Sequence, residues 1–376
     1  MQKNTIATID YANLCYIDTD VIRTAFGFDG LGILLVTNVP NLEQLRSNVL
    51  PLARQFAELP EEIKKNFEHE ASYYSFGWSH GKEKMEKNTP DTMKGSYYFN
   101  PEYDLPYGEE YALLYPLFCH PNIWPNELIP NFSHNVMSLS SLIMDTGRVI
   151  LSACDNYINS VYPSHSVTKL YDIAGMSKVS KGRLLHYFPA ESSNNHDTWC
   201  GAHNDHGFLT GLVSSMYLDK FGNKISAPDP NCGLYIKSRS GDLVKVNIPS
   251  NSIAFQIGES SCIYSGGLLQ PTPHVVIAPN TSNSIGVTPC VTPCGLIPDK
   301  KCESFFSGVT RETMAVFMSA KWDTIMEPPL EANIDDIFKG STEEFLPKNI
   351  PFLSTRWAKG MTYQEFSDKT YQAYYQ

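Results

Sequence analysis

The spacing of apolar side chains divides the chain into a mixed first part and a strand-rich second part. Residues 1–70 alternate strand and helix patterns, with a buried strand predicted at residues 32–38 and a helix over 41–67 that is interrupted at Pro51 and Pro60. Apolar residues then recur at helical spacing within residues 122–162. From Gly182 onward, short apolar runs between Gly, Pro, Asn and Asp turns predict the strands of a sandwich or barrel. The expected fold class is mostly β with flanking helices.

The same pattern suggests how the chain is organised. Residues 1–120 are predicted to form an N-terminal α/β region that packs on the core. Residues 121–376 are predicted to form the barrel domain, with the long helix as a support and a C-terminal helix capped by Thr362. Because large all-β barrels often form one unit, we expect one compact body despite the 376 residues.

Composition and charge limit the classes of molecule that the protein is expected to bind. The net charge of -11 argues against binding to nucleic-acid phosphates and against an anionic membrane surface. The N-terminus lacks an apolar signal core, and purely apolar runs are much shorter than a membrane span. The nine Cys residues show no disulfide framework, and Cys290, Cys294 and Cys302 lack a clear fourth zinc ligand. We therefore expect a cytoplasmic protein with free thiols and a small-molecule partner.

A candidate metal site lies at His203-Asn204-Asp205. In a strand, residues i and i+2 share a face, so this imidazole and this carboxylate can point at one centre. His274 begins an apolar β run after a Gly/Pro-rich turn and is the best second His. Together the three side chains match the 2-His-1-carboxylate triad that binds Fe(II), although a His-x-Asp pair alone is also typical of a core His. His206 alternates to the other face and is assigned to the surroundings of the site or to the core.

Several short motifs resemble one known family. Asp205-His-Gly-Phe-Leu-Thr resembles the His-x-Asp-x-Gly-x-Leu-Thr stretch of the 2-oxoglutarate/Fe(II)-dependent dioxygenases of the isopenicillin-N-synthase-like superfamily. Further similar stretches follow the family's order and cover most of residues 5–320: Pro60-Glu-Glu-Ile-Lys-Lys, Leu185-His-Tyr-Phe-Pro, Gly233-Leu-Tyr-Ile, Phe255-Gln-Ile-Gly-Glu and His274-Val-Val. The resemblance, closest to a functionally obscure eukaryotic branch, implies a double-stranded β-helix (jelly-roll) core. It also implies Fe(II), 2-oxoglutarate as co-substrate and O₂, with succinate and CO₂ released as a small organic substrate is oxidised, by default hydroxylated.

The resemblance also implies a cation that holds the far carboxylate of 2-oxoglutarate. The family places an Arg-x-Ser about ten residues after its second His, but residues 280–287 contain no Arg. Arg311 and Thr313 lie two residues apart in a later β-type stretch, so we assign this role to them. Residues 278–306 then form an insertion that carries Cys290 and Cys294.

A second departure concerns the family's co-substrate-contacting Tyr, which precedes the Pro of its Asn-Tyr-Tyr-Pro motif. Phe188 stands there in this chain and cannot donate a hydrogen bond. Tyr187 is one residue away and faces the other side of a regular strand unless a bulge intervenes. His186 replaces the family's Asn and is expected to take over part of the contact.

The substrate side is the least specified. The aromatic- and lysine-rich residues 73–100 and the 217–231 insertion are expected to face it, with Trp78, His80, Lys82 and Lys94 as candidates, and a simple covering loop as an equal alternative. The sequence favours a 2-oxoglutarate-dependent dioxygenase. A catalytically inactive binding protein with the same fold is the main alternative, supported by the displaced Arg and by Phe188. A zinc hydrolase with the same three ligands ranks third, because it leaves Arg311 without a role.

Overall fold

The computed structural model describes residues 5–82, 91–167, 169–189, 198–279 and 308–375. Cys290, Cys294 and Cys302 of the predicted insertion lie outside these ranges. The strands are β1 (Ala7–Asp10), β2 (Ile33–Thr37), β3 (Gly77–His80), β4 (Lys94–Phe99), β5 (Lys181–Tyr187), β6 (Thr198–His203), β7 (Leu209–Val213), β8 (Met216–Leu218), β9 (Lys224–Ile225), β10 (Gly233–Lys237), β11 (Leu243–Lys245), β12 (Ile253–Ile257), β13 (His274–Ile277) and β14 (Thr310–Met318).

Helices lie mainly before β5 and after β14. The α-helices are α1 (Thr19–Phe26), α2 (Leu42–Ala57), α3 (Glu61–Lys64), α4 (Glu109–Leu114), α5 (Pro116–Cys119), α6 (Phe132–Val161), α7 (Glu259–Tyr264), α8 (Ile334–Phe338), α9 (Leu353–Arg356) and α10 (Tyr363–Tyr375). Short 3₁₀ turns occupy Tyr11–Tyr16, Lys65–Phe67, Glu70–Ser72 and Pro163–Val167, and one π-helical turn spans Tyr171–Gly175.

Two sheets form the predicted jelly roll. The large sheet has the order β1-β2-β12-β7-β14-β5-β4-β3, and β8 pairs with both β14 and β9. The small sheet has the order β11-β10-β13-β6. The pairing is antiparallel throughout these ladders except between β1 and β2. This arrangement confirms the expected fold class.

Strand alternation creates two cores on opposite faces of the large sheet. On β14, Met314, Val316 and Met318 face an outer core shared with helices such as α2 and α6. The intervening residues of β14 face the space between the two sheets, where Tyr187, Trp199 and other residues form a smaller inner core. The inner space is where a jelly roll places its ligands.

The long helix predicted within residues 122–162 is α6, and it packs against the outside of the large sheet. By length and composition it is apolar enough to cross a membrane, but 56% of its most apolar stretch is buried inside the protein. Core packing is sufficient to explain this composition.

Two details of the first part differ from the prediction. Helix α2 continues through Pro51 instead of stopping there, because residues on both sides of Pro51 are buried against the sheet and offset the lost backbone hydrogen bond. In addition, strands β1 to β4 join the same large sheet as strands that follow residue 180. The two predicted regions thus share one sheet, and the boundary at residues 120/121 stays a prediction.

Candidate metal centre

The structure brings His203, Asp205 and His274 together. His203 ends β6, His274 begins β13, and the two residues are paired across these strands. Asp205 Oδ1 lies 3.8 Å from His203 Nε2 and 3.9 Å from His274 Nε2. One ligand atom from each of the three residues lies within 4.8 Å of the others. Asp205 follows the end of β6, so the turn after the strand, and not the predicted strand alternation, turns the carboxylate toward both imidazoles.

Neighbouring groups orient these three side chains. His203 Nδ1 lies 2.8 Å from the Gly201 carbonyl oxygen and donates to it, so that in the neutral imidazole Nε2 is the acceptor that faces the centre. Thr210 Oγ1 donates to Asp205 Oδ2 at 2.7 Å and leaves Oδ1 facing the imidazoles. Two imidazole nitrogens and one carboxylate oxygen converging on one point match the donor set of a non-haem Fe(II) site.

The pKa values of the three side chains are shifted by burial and by one another. Burial raises the pKa of Asp205, but His274, His203 and the Thr210 hydroxyl outweigh it and lower the pKa. Burial and the neighbouring His203 lower the pKa of His274 to about 4. For His203, burial lowers the pKa, but the Cys200 thiol and Asp205 outweigh it and raise the pKa to about 9. A metal ion that binds here must therefore displace a proton from His203 at neutral pH.

Arg311 faces the inner space from β14 and is only 3% exposed. Its guanidinium carbon lies 4.7 Å from the centre of the Tyr187 ring. Its Nε and Nη1 atoms are buried and lack a hydrogen-bond partner within the described part of the chain. Burial lowers the pKa of Arg311, but Tyr187 and Tyr217 outweigh it and raise the pKa, so the group is charged. A buried charge with unpaired N–H groups fits a ligand carboxylate, which binds Arg through two parallel hydrogen bonds.

Thr313 lies on the same side of β14 as Arg311, as predicted, but its hydroxyl is engaged elsewhere. Thr313 Oγ1 donates to the Val213 carbonyl oxygen at 3.0 Å. Because a hydroxyl has one proton to donate, Thr313 is not available as a donor to a ligand carboxylate. Arg311 is thus the stronger part of the predicted carboxylate site.

The expectations for β5 need correction. His186 faces the outer core, where its Nδ1 lies 2.9 Å from Glu312 Oε2, so the structure does not bring His186 to the side of Arg311. Tyr187 faces the inner space, and β5 pairs with β14 in continuous register without a bulge. Phe188 follows the strand and packs against the His186 and His80 rings. The alternation places the inward Tyr one residue earlier than the family motif does.

Three of the four substrate candidates lie elsewhere. Trp78 is buried in the outer core beside Phe56, on the face of the large sheet opposite the metal centre. His80 Nε2 lies 3.1 Å from the Thr92 carbonyl oxygen. Lys82 Nζ lies 2.9 Å from Glu68 Oε2 at the protein surface.

Lys94 is the candidate that the structure brings to the site. Its Nζ lies 2.6 Å from Asp91 Oδ2 and 3.9 Å from Cys200 Sγ, and Cys200 Sγ in turn lies 3.9 Å from His203 Nδ1. Burial raises the pKa of the Cys200 thiol, but the Lys94 ammonium and His203 outweigh it and lower the pKa to about 7. Only the Cys200 side chain therefore separates Lys94 from the candidate metal ligand His203.

The sequence did not reveal the full set of residues around Arg311. Tyr217, Arg311, Tyr187 and Lys94 are paired in one row across β8, β14, β5 and β4. Tyr217 lies at the start of the predicted 217–231 insertion, which was the only available signal for it. Cys200 gave no periodic signal, because residues i and i+3 of a regular strand face opposite ways. The register irregularity between β13 and β6 accounts for its contact with His203.

Comparisons with known proteins identify dioxygenases that are similar to this chain. A family model described as the N-terminal region of a non-haem dioxygenase in morphine synthesis matches residues 21–127. A homoarginine-6-hydroxylase from Oryza sativa subsp. japonica is 23% identical over 235 residues, covering 62% of this chain and 66% of the relative. A 2-oxoglutarate-dependent dioxygenase from Gibberella zeae is 27% identical over 257 residues, covering 66% of this chain and 60% of the relative.

Among solved structures, a 2OG-Fe(II) oxygenase family protein from Caulobacter crescentus superposes with a TM-score of 0.65 at 19% identity. The match covers 98% of this chain and 99% of that chain. The matches to the curated relatives span less than two thirds of their lengths, whereas the fold is shared over the whole chain. Together they confirm that the chain is related to the 2-oxoglutarate/Fe(II)-dependent dioxygenases.

Proposed function

We propose that this relative of the 2-oxoglutarate/Fe(II)-dependent dioxygenases is itself such an enzyme and oxidises a small organic substrate. In the reaction, 2-oxoglutarate loses CO₂ and becomes succinate; one oxygen atom of O₂ enters succinate and the other enters a hydroxylated product. The observation that carries the proposal is the pairing of two features across one inner space. Three convergent side chains that could hold a metal lie on one side. On the other lies the buried guanidinium of Arg311, whose Nε and Nη1 have no hydrogen-bond partner among the described residues.

Each residue has a distinct task in this proposal. His203, Asp205 and His274 would hold iron(II), which when bound supplies the redox chemistry that couples 2-oxoglutarate decarboxylation to substrate oxidation. Arg311 binds the far carboxylate of 2-oxoglutarate and thereby fixes its orientation relative to the three ligands. Tyr187 and Trp199, whose ring centres are 5.6 Å apart, shield this carboxylate site from water.

The substrate approaches the ligands from the side of Lys94. This side chain is buried between the sheets and lies beside Cys200, adjacent to His203. The rice relative, by its name, hydroxylates a small amino acid, which supports a small-molecule substrate here. The location in the cytoplasm and the lack of nucleic-acid and membrane partners rest on composition alone and stay predictions.

The test is succinate formation from 2-oxoglutarate in the presence of Fe(II), ascorbate and O₂. The unmodified protein is expected to form succinate slowly even without its substrate, through uncoupled turnover, and to bind one equivalent of iron. His203→Ala and Asp205→Ala are expected to abolish both. His134→Ala, a change at an exposed His on α6, is the matched control and should retain both. An unmodified protein that neither forms succinate nor binds iron would contradict the proposed function.

The alternatives lose their specific support. The inactive binding protein rested on a missing Arg and a missing Tyr, yet Arg311 and Tyr187 both face the inner space. A zinc hydrolase gives no task to the buried guanidinium of Arg311. Succinate formation that depends on O₂ separates the proposed enzyme from both.

A further inference from the structure

Helix α7 is hydrogen-bonded to residues 203–207, the metal-binding turn that carries two of the three candidate ligands. Glu259 N donates to the Asp205 carbonyl oxygen at 2.9 Å, and Ser260 Oγ donates to the His206 carbonyl oxygen at 2.6 Å. Gly258 allows this approach, because a Cβ atom there would lie 2.1 Å from the Gly207 carbonyl oxygen. The backbone of residues 205–207 therefore has little freedom to move away from α7.

The Glu259 side chain continues this support toward the C-terminal part of the chain. Its carboxylate receives two hydrogen bonds from Arg356, at 2.7 Å from Nη1 and 2.6 Å from Nη2. Both side chains are only 1% exposed. Asn204, which lies between the ligands His203 and Asp205, donates from Nδ2 to Glu259 Oε1 at 3.4 Å. One buried ion pair thus links the C-terminal part of the chain to the metal-binding turn.

Helix α10 makes a second link to the same turn. The backbone N–H of Asn204 donates to the Tyr374 hydroxyl at 3.3 Å. The His206 ring packs among aromatic rings of α10, with ring centres 6.3 Å from Tyr363 and 6.4 Å from Phe366. Arg356 also donates to Thr370 Oγ1 of α10 at 3.0 Å, so the two links form one network.

We propose that Arg356, through Glu259, and Tyr374 are positioning residues that set the affinity of the centre for its metal ion. This inference rests on the proposed function, because it assumes that His203, Asp205 and His274 bind a metal. A buried ion pair is a weak way to increase stability, since desolvation offsets most of its attraction. A bidentate pair is, however, an effective way to orient a carboxylate, and the oriented Glu259 fixes Asn204 between the two ligands. Groups that orient metal ligands through hydrogen bonds, without touching the metal, affect how tightly the metal binds.

The test compares Mn(II) affinity with stability in matched variants. Mn(II) is titrated into the full-length protein by isothermal titration calorimetry, and the melting temperature of each variant is measured beside it. Arg356→Met is the test variant. Arg46→Met is its control, because Arg46 is also buried but donates to the carbonyl oxygens of Ser214 and Ser250. Tyr374→Phe is a milder test variant, and Tyr97→Phe, which loses a hydrogen bond to the Ile123 carbonyl oxygen in the outer core, is its control.

We expect Arg356→Met to weaken Mn(II) binding about 10- to 100-fold. Tyr374→Phe should weaken it several-fold, and both controls should stay within twofold of the unmodified protein even where the melting temperature falls. If Arg356→Met does not fold, the Tyr374→Phe pair decides. Test variants that keep the unmodified affinity, or controls that lose as much, would overturn the inference while leaving the proposed function intact. An unmodified protein that binds no Mn(II) would overturn the proposed function and this inference together.

Discussion

In the proposed enzyme, Arg311 is the residue that binds the co-substrate carboxylate. Replacing it with Met removes two charge-assisted hydrogen bonds to the carboxylate of 2-oxoglutarate. We expect the KM for 2-oxoglutarate to rise about 100-fold, which corresponds to about 3 kcal/mol. Thr313→Val is the control: its hydroxyl is bound to the Val213 carbonyl oxygen, so this change should cost about 1 kcal/mol of stability and leave KM within a few-fold. Succinate assays over a range of 2-oxoglutarate concentrations measure both, and an unchanged KM in Arg311→Met would contradict the role of Arg311.

Lys181 gives the protein a pH dependence that has nothing to do with catalysis. Burial lowers the pKa of its ammonium to about 7, and its Nζ donates to the Leu117 carbonyl oxygen at 3.1 Å. The unfolded chain has the ordinary Lys pKa of about 10.4, so between about pH 7 and pH 10 the unfolded state binds more protons. The unfavourable contribution of Lys181 to the free energy of unfolding is therefore complete below pH 7 and disappears as the pH rises toward 10.

Lys181→Met should accordingly raise the melting temperature most near pH 6.5 and least near pH 10. Thermal denaturation followed by circular dichroism across this range measures the difference. Lys178→Met, at an exposed position, is the control and should show no such trend. An equal gain in melting temperature at all pH values would show that the pKa of Lys181 in the folded protein is not lowered.

At this scale the metal ligands were predictable and their surroundings were not. His203 and Asp205 carry a two-residue spacing, and His274 begins a distinct apolar run, so the sequence alone pointed to all three. Cys200 reaches the site through pairing between distant strands, and Arg356 reaches it through a helix more than 150 residues after His203. Such contacts have no periodic trace in a single sequence.

Among the elements, β5 and β14 decide which side chains enter the inner space. Because side chains alternate along a strand, a shift of one residue exchanges the whole inner set for the outer set. The register places Arg311 opposite Tyr187 and Glu312 opposite His186. Motif alignment left His186 and, with a bulge, Tyr187 for the co-substrate contact, because an alignment carries no strand register. The pairing with β14 favours Tyr187 without a bulge.

This register predicts a small change in the KM for 2-oxoglutarate at one residue of β5 and a large change at its neighbour. His186→Asn, which restores the family's residue, should change the KM for 2-oxoglutarate less than twofold, although loss of the buried bond to Glu312 lowers stability. Tyr187→Leu removes the ring over which Arg311 lies and should raise the KM by about tenfold. Steady-state kinetics on both variants measures this, and a larger effect from His186→Asn would mean that β5 is read in the wrong register.

For the whole molecule, the shared large sheet argues against independent domains. The pairs of β2 with β12 and of β4 with β5 join the predicted N-terminal region to the barrel. We expect one calorimetric unfolding transition whose van't Hoff and calorimetric enthalpies agree. Two separated transitions in a calorimetric scan would instead support a domain boundary near residue 120. The sequence could predict a mixed α/β part and a strand-rich part but not this shared sheet, because strand pairing over such distances is set by tertiary packing.

The most direct test of the whole account is a crystal structure of the protein with Mn(II) and 2-oxoglutarate. Mn(II) should bind His203 Nε2, His274 Nε2 and Asp205 Oδ1, and the far carboxylate of 2-oxoglutarate should accept hydrogen bonds from the guanidinium of Arg311. A metal ion bound elsewhere, or a 2-oxoglutarate carboxylate that does not contact Arg311, would contradict the account.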